Sequence, residues 1–154
     1  MELMLPSTEE GSLIFKQWLA EKHDHPVEFF PPNAYGYGLV EKESSDEWLV
    51  KMACVLQPFH FPGNVLASYF SEDPTVFFQK QALRALKKVP FGPPFNAHKI
   101  TVLIRTVHTR SISVALRYGF RGEAILKDHY GPGEDATILG LLRSDVIKEQ
   151  EDVL

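Results

Sequence analysis

Cysteine is almost absent: one stands among 154 residues, so no internal disulfide can form and burial alone must hold the chain together. Cys54 lies in the apolar stretch Trp48-Leu49-Val50-Lys51-Met52-Ala53-Cys54-Val55-Leu56, which reads as a buried, inert thiol in a reducing compartment. Long hydrophobic runs are missing too, since no window approaches the roughly 20 apolar residues of a membrane helix. The opening Met1-Glu2-Leu3-Met4-Leu5-Pro6-Ser7 lacks the basic segment and apolar core of a secretory leader. The expected location is cytoplasmic, with no membrane partner. A basic excess is also lacking, with 16 Lys and Arg against 20 Asp and Glu and a net charge of −4. Phosphate-backbone binding is driven by Lys and Arg displacing counterions, so no nucleic acid partner is expected. No repeat, low-complexity run or linker divides the chain, and its length suits one domain over residues 1–154. The tail, residues 146–154, reads as helical or frayed.

What is present is a mixed α/β pattern. Ser7-Thr8-Glu9-Glu10 opens a helix to about Lys22, with hydroxyl caps followed by carboxylates at the positive end of the dipole. Its pairs Ile14/Trp18 and Phe15/Leu19 are four apart and make stripes that can pack on a sheet. Three prolines between His23 and Asn33 impose a loop. Strands are expected at Tyr35–Glu41 and Trp48–Gln57, a hairpin across Lys42-Glu43-Ser44-Ser45-Asp46, the second apolar on both faces and so interior. A loop at Pro58–Gly63 leads to a strand at Asn64–Phe70. Ser71-Glu72-Asp73-Pro74 then opens a helix to about Lys88, with Asp73 at the N-cap and Pro74 where a missing amide costs least. Phe78, Ala82, Ala85 and Val89 form its apolar stripe, and the proline-rich stretch from Val89 to Phe95 ends it. Lys99–Arg105 alternates as a strand through Ile100, Val102 and Ile104. Ser111–Tyr118 reads as a helix stopped by a left-handed Gly119. Phe120–Asp128 and Ala136–Leu142 complete a hairpin across Gly131-Pro132-Gly133-Glu134-Asp135.

The stretch Val107-His108-Thr109-Arg110-Ser111-Ile112-Ser113-Val114-Ala115-Leu116-Arg117-Tyr118-Gly119-Phe120-Arg121-Gly122-Glu123-Ala124 resembles the carboxyl-terminal signature of the GCN5-related N-acetyltransferases. There a strand, a polar Asn-x-x-Ser or Asn-x-x-Ala cap and a short helix ending in Gly-Phe precede a hairpin. Gly140-Leu141-Leu142-Arg143-Ser144-Asp145 is similar to the last strand of the subgroup that holds ribosomal-protein and aminoglycoside acetyltransferases. The resemblance is specific over the last third and follows in element order upstream. It implies an α/β (α+β mixed) fold: a single domain with a central, mostly antiparallel, twisted sheet of six to seven strands flanked by helices. It also implies acetyl-CoA as cofactor and a primary amine as acceptor.

Attack of an amine on an acetyl thioester needs a deprotonated amine, a donor for the developing oxyanion and a proton for the leaving thiolate. A lysine-like amine has a pKa of about 10.4, so a base or water relay must take its proton. By resemblance, a backbone amide in Asn64–Phe70 supplies the oxyanion donor. Ser68, Tyr69, Phe70, Ser71 and Thr75 line the cofactor, with His108 and Ser111 flanking it. The family's cap asparagine corresponds to His108, and the tyrosine some members use on the thiolate corresponds to Ala115. Tyr118 stands nearby in sequence, at a position that packs in the core in the bland reading. The catalytic candidates are thus His108 and Tyr118. His108 can donate to a cofactor or act as an acid, since imidazole takes either charge state near neutrality, or it is only a polar cap; Ser111 reads as a helix cap.

One segment departs from the pattern. The family's Arg/Gln-x-x-Gly-x-Gly/Ala loop presents amides to the pyrophosphate, whereas Ser71-Glu72-Asp73-Pro74-Thr75 has no glycine, loses one amide to proline and carries two carboxylates. A fold that has lost the cofactor and works as a binding or adaptor module is therefore the alternative. His60 reads as a general base or a merely exposed loop residue. His23 and His25 with Asp24 resemble a metal cluster, but two histidines two apart in a loop with no third ligand in reach read as solvated, so no metal is assigned. Phe29-Phe30 and Phe59-His60-Phe61, beside prolines, suit either local packing or a surface for an acceptor or a protein partner. The expected partners are a small-molecule or protein amine acceptor, a protein on those Phe/Pro-rich loops, and a second copy in a homodimer.

Overall fold

Residues 1–146 of the chain are described in the computed structural model. The tail expected at 146–154 lies, after Val146, outside them. The strands are β1 (Glu2–Met4), β2 (Tyr35–Lys42), β3 (Trp48–Phe59), β4 (Phe61–Ser71), β5 (Lys99–Arg105), β6 (Arg121–Gly131) and β7 (Glu134–Leu142). They form one seven-stranded sheet in the order β1-β2-β3-β4-β5-β7-β6. β1–β2, β2–β3, β5–β7 and β6–β7 pair antiparallel, and β4–β5 pairs in parallel. The mixed, mostly antiparallel sheet of the sequence reading is thus present. The chain falls into two compact units, Met1–Gln57 with Ala67–Pro90, and Pro58–Leu66 with the segment from Phe91 onward.

In the first unit, helix α1 (Glu9–Lys22) starts where expected. Thr8 Oγ1 accepts the Gly11 amide at 3.1 Å, and Glu9 and Glu10 occupy the first turn. Of its two apolar pairs only Phe15/Leu19 is buried, joined by Ala20 in a cluster with Phe30, Ala34, Val40, Ala53 and Val55. Ile14 is 58% exposed. One helix face can meet the sheet, and Ile14 lies on its flank. The approach is close because β2 carries glycine at two inward positions. A Cβ on Gly36 would overlap the Ser12 carbonyl, and one on Gly38 would overlap the Met52 carbonyl and meet the Phe15 ring. Ser12 Oγ accepts the Gly36 amide at 2.7 Å, which ties the helix to the strand. β3 is buried without a break from Met52 to Leu56, as its two-faced apolarity requires.

The expected helix from Pro74 to Lys88 is instead composite. A 3-10 turn (Pro74–Phe78) is followed by α2 (Lys80–Leu83), a π-helical turn (Arg84–Lys88) and α3 (Val89–Phe91). Ala82 and Ala85 are buried as anticipated, but Phe78 is 67% exposed, because the break at Gln79 puts it out of phase with them. The helix also continues through Pro90 rather than ending before it. In the π turn the Val89 amide reaches back to the Arg84 carbonyl. The Ala85 carbonyl would next look to residue 90, a proline with no N–H. The buried Tyr37 hydroxyl donates to that carbonyl instead.

In the second unit the loop expected at Pro58–Gly63 contracts to His60, at φ 68°, between β3 and β4. Pro58 and Pro62 are exposed, so strand residues without an amide are tolerated there. β5 follows its expected bounds, with Ile100, Val102 and Ile104 buried. Thr101 is buried as well and donates to Asn64 Oδ1 at 2.8 Å. Helix α4 (Thr109–Arg117) ends at Gly119 (φ 97°). The Gly119 and Phe120 amides bond the Leu116 and Ala115 carbonyls at 3.0 and 3.1 Å, a complete Schellman closure. The last hairpin is tighter than read: β6 runs to Gly131 and β7 begins at Glu134. No helix among the described residues is long and apolar enough to cross a membrane.

Candidate functional site

The candidates fall into two groups. Ser68, Tyr69, Phe70, Ser71 and Thr75 belong to the first unit, on the end of β4 and the turn after it. His108, Ser111 and Tyr118 belong to the second, at the two ends of α4.

Along β4, side chains alternate faces. Phe70 meets Trp18 (6.1 Å between ring centroids) and His23 (6.1 Å), while Tyr69 meets Phe77 edge-on at 5.8 Å. Ser71 is buried, its hydroxyl in hydrogen-bond contact with the Lys51 carbonyl at 2.9 Å and the Asp73 carbonyl at 3.0 Å. Asp73 takes the N-cap role expected of it. Its Oδ1 accepts both the Thr75 amide at 2.9 Å and the Thr75 hydroxyl at 2.7 Å. Those two bonds, the side-chain one first, hold its carboxyl below the usual range, with Lys51 adding a smaller pull. The neighbouring Glu72 carboxylate pairs with the Lys22 ammonium, which also lies 5.2 Å from the Trp18 ring centroid.

Sequence reasoning missed this Lys22–Trp18–Glu72 clasp. Its partners are 50 residues apart, and nothing local in either segment signals the pairing. Of the two histidines read as solvated, His23 is exposed and His25 only partly so. His25 stacks on Phe29 at 5.3 Å and meets Phe30 edge-on at 5.1 Å, so the Phe29-Phe30 stretch is one aromatic cluster with the histidines. Phe29 remains exposed.

Behind the turn, Tyr37 is fully buried and its side chain hydrogen-bonds with Cys54 as well as Ala85. Burial raises the Tyr37 phenol well above its ordinary value. Burial likewise pushes Cys54 to about 12, partly offset by the Tyr37 bond. Cys54 is the inert thiol its surroundings suggested.

At α4 the cap is His108, not Ser111, which sits at the third helical position. The His108 side chain makes no capping bond and is exposed. Its amide donates to the Arg105 carbonyl at 2.8 Å and its carbonyl accepts the Ile112 amide at 3.1 Å, so the backbone turn is fixed while the imidazole stays available. Ser111 is exposed beside it, and no carboxylate stands in the first turn. Tyr118, at the other end of the helix, is only 7% exposed and packs as a core residue. His60 is exposed in its turn.

The turn at Ser71–Thr75 does not suit the pyrophosphate of an acetyl-CoA: it offers two carboxylates, and its Thr75 amide and hydroxyl are already engaged.

No protein-family model matches the chain, and no curated protein does. Solved structures do. A variant of the spermidine N-acetyltransferase SpeG from Vibrio cholerae superposes with a TM-score of 0.70 at 12% identity, over 97% of this chain and 99% of that one. A chimera of the Vibrio cholerae SpeG and hSSAT gives 0.69 at 17% identity, over 96% and 99%. The ribosomal-protein-S5-alanine acetyltransferase from Vibrio fischeri gives 0.65 at 14%, over 93% of each. The fold of this chain is that of the GCN5-related N-acetyltransferases.

Proposed function

We propose that this chain is an N-acetyltransferase that moves an acetyl group from a thioester, acetyl-CoA in the simplest case, to a primary amine. The observation that carries the reading is the whole-length likeness to acetyltransferases, extending over 93–97% of the chain in the three structures above. Fold alone hosts many activities, so the residues must supply the chemistry. In this reading the amine attacks the thioester carbonyl and loses a proton to a base or a water relay, and a backbone amide of the Asn64–Phe70 segment donates to the oxyanion. The carbon–sulfur bond breaks, and the departing thiolate takes a proton from His108, whose side chain makes no capping bond. Tyr118 is the second candidate donor, and its burial favours a core role over a catalytic one. Ser111, exposed one turn into α4, supports the same thioester end. The acceptor class, a small-molecule or protein amine, is open; spermidine and a ribosomal protein's alanine are substrates named for the similar structures.

The test is thiol release from acetyl-CoA in the presence of spermidine, an alanine-ended peptide and an aminoglycoside, with mass spectrometry of the acceptor. Amine-dependent release is expected with at least one of them. His108→Ala is expected to slow it by about tenfold or more, as loss of an acid-base group does, without unfolding the protein. Release at the wild-type rate removes His108 from the mechanism. Failure to acetylate any primary amine, with no thioester binding at millimolar concentration, overturns the reading in favour of a binding module.

A further inference from the structure

Several donors of the turn from Ser71 to Gln79 are already bonded. The Thr75 amide and hydroxyl both end on Asp73 Oδ1, at 2.9 and 2.7 Å. The Val76 amide bonds the Asp73 carbonyl at 3.1 Å, and the Gln79 amide bonds the Val76 carbonyl at 3.1 Å. Pro74 has no amide to give. The Ser71 hydroxyl lies between the Lys51 and Asp73 carbonyls. The Lys22 ammonium, the cation bonded to this turn, is matched by Glu72. A diphosphate drawing on the Thr75 donors and the Lys22 ammonium would have to break the Asp73 cap and displace Glu72 from Lys22, and it would do so beside two carboxylates.

Resting on the acetyl-transfer reading, we infer that the acyl donor is recognised as a pantetheine thioester, with the nucleotide diphosphate contributing nothing to affinity through this turn. The substrate class is then wider than acetyl-CoA. It includes free acylpantetheine and pantetheine arms whose phosphate is already esterified elsewhere. Pairing between β4 and β5 runs over Asn64–Leu66, so the extended backbone beyond it, Ala67–Phe70, is what remains to meet the two amides of such an arm, because extended chains pair through their main-chain groups. The acidic turn sets the sign of the salt effect. Repulsion between Glu72, Asp73 and a phosphorylated donor weakens as salt screens it, whereas a gripped diphosphate would loosen with salt.

The experiment is calorimetric titration of the wild-type protein with acetyl-CoA and with S-acetylpantetheine, at low and moderate salt. Expected dissociation constants agree within about threefold, and acetyl-CoA binding holds steady or tightens as salt rises. One charge-assisted bond to a diphosphate is worth at least about tenfold, so acetyl-CoA binding tenfold or more tighter than S-acetylpantetheine overturns the inference and leaves the acetyl-transfer reading intact. Salt-induced loosening specific to acetyl-CoA overturns it likewise. If neither thioester binds at millimolar concentration, the acetyl-transfer reading itself falls, and the inference with it.

Discussion

The two compact units differ in how many of their polar bonds are buried. The first buries them: Ser12 against the Gly36 amide, Tyr37 against the Ala85 carbonyl, Ser71 against the Lys51 carbonyl. It brings helix and strand together over glycines where any Cβ would collide. The second buries Thr101 against Asn64 and otherwise places ion pairs nearer the surface. Lys99 spans to Glu123 across Gly140, and Arg105 holds Glu134 while lying 4.2 Å from the Tyr130 ring centroid. Two of its glycines serve turns, Gly119 and Gly133, with φ 97° and 75°. Buried polar bonds are costly to break and surface ion pairs are not. The first unit is therefore intolerant of small changes, and the second forgiving. The helix entries follow suit: the Asp73 turn is closed by its own carboxylate, while the His108 turn leaves its imbuilt side chain uncommitted.

The largest expected effect is Gly38→Ala, whose methyl would overlap the Met52 carbonyl and press on the Phe15 ring. Neither can move without opening the core, so denaturant melts should show a loss of more than about 3 kcal/mol. Gly133→Ala, with nothing within 4 Å of the added carbon but a positive φ, should cost about 1–2 kcal/mol. Equal losses would break the comparison. Tyr37→Phe comes next. It leaves the Ala85 carbonyl buried without a donor, for which about 1–3 kcal/mol is expected. A neutral result in the same melt would mean that carbonyl finds another donor. In the second unit Lys99→Met, removing one side of a partly exposed ion pair, should cost less than about 1 kcal/mol and nothing at high salt. A larger, salt-insensitive loss would contradict the surface assignment.

The smallest effect is read against pH. The folded pKa of Asp73 lies below the ordinary 3.8, so its cap contributes fully above that value and is lost as pH falls through the lower folded value. Asp73→Ala should lower the melting temperature at pH 7 and converge with wild type at the acid end. Asp135, held low chiefly by the Asp128 amide and also by Lys127, should behave with the same sign in the second unit. A constant offset between Asp73→Ala and wild type at every pH would remove ionisation from the capping role.

Where interactions are local, the sequence was a good guide. Thr8 and Asp73 cap as their position before helical residues requires, and Gly119 closes α4 because a left-handed residue there completes both backbone bonds. β5 falls on its predicted bounds because Ile100, Val102 and Ile104, two apart, put one face of the strand into the core. The misses share one cause. Ile14 and Phe78 look like stripe residues by spacing alone, but whether a stripe is covered depends on the partner it meets. Ser111 looked like a cap because hydroxyls often are; the chain placed His108 there because the turn after Arg105 is shorter than the pattern suggested. The family resemblance pointed to the end of β4 and to His108 as candidates, while the contacts of Lys22, Trp18 and His25 beside them left no local signal.

By itself the sequence determined the mixed α/β order, the buried thiol at Cys54, the glycine stop after α4 and the lack of a glycine loop before the second helical stretch. These rest on spacing, turn chemistry and the presence or absence of a side chain, all local quantities. Only the tertiary structure decided that Lys22 would neutralise Glu72 across 50 residues and that Tyr37 would fill the gap at Ala85 across 48. Periodicity tells a residue which face it occupies, whereas the partner on that face is chosen by how the sheet and helices pack, which no single segment encodes.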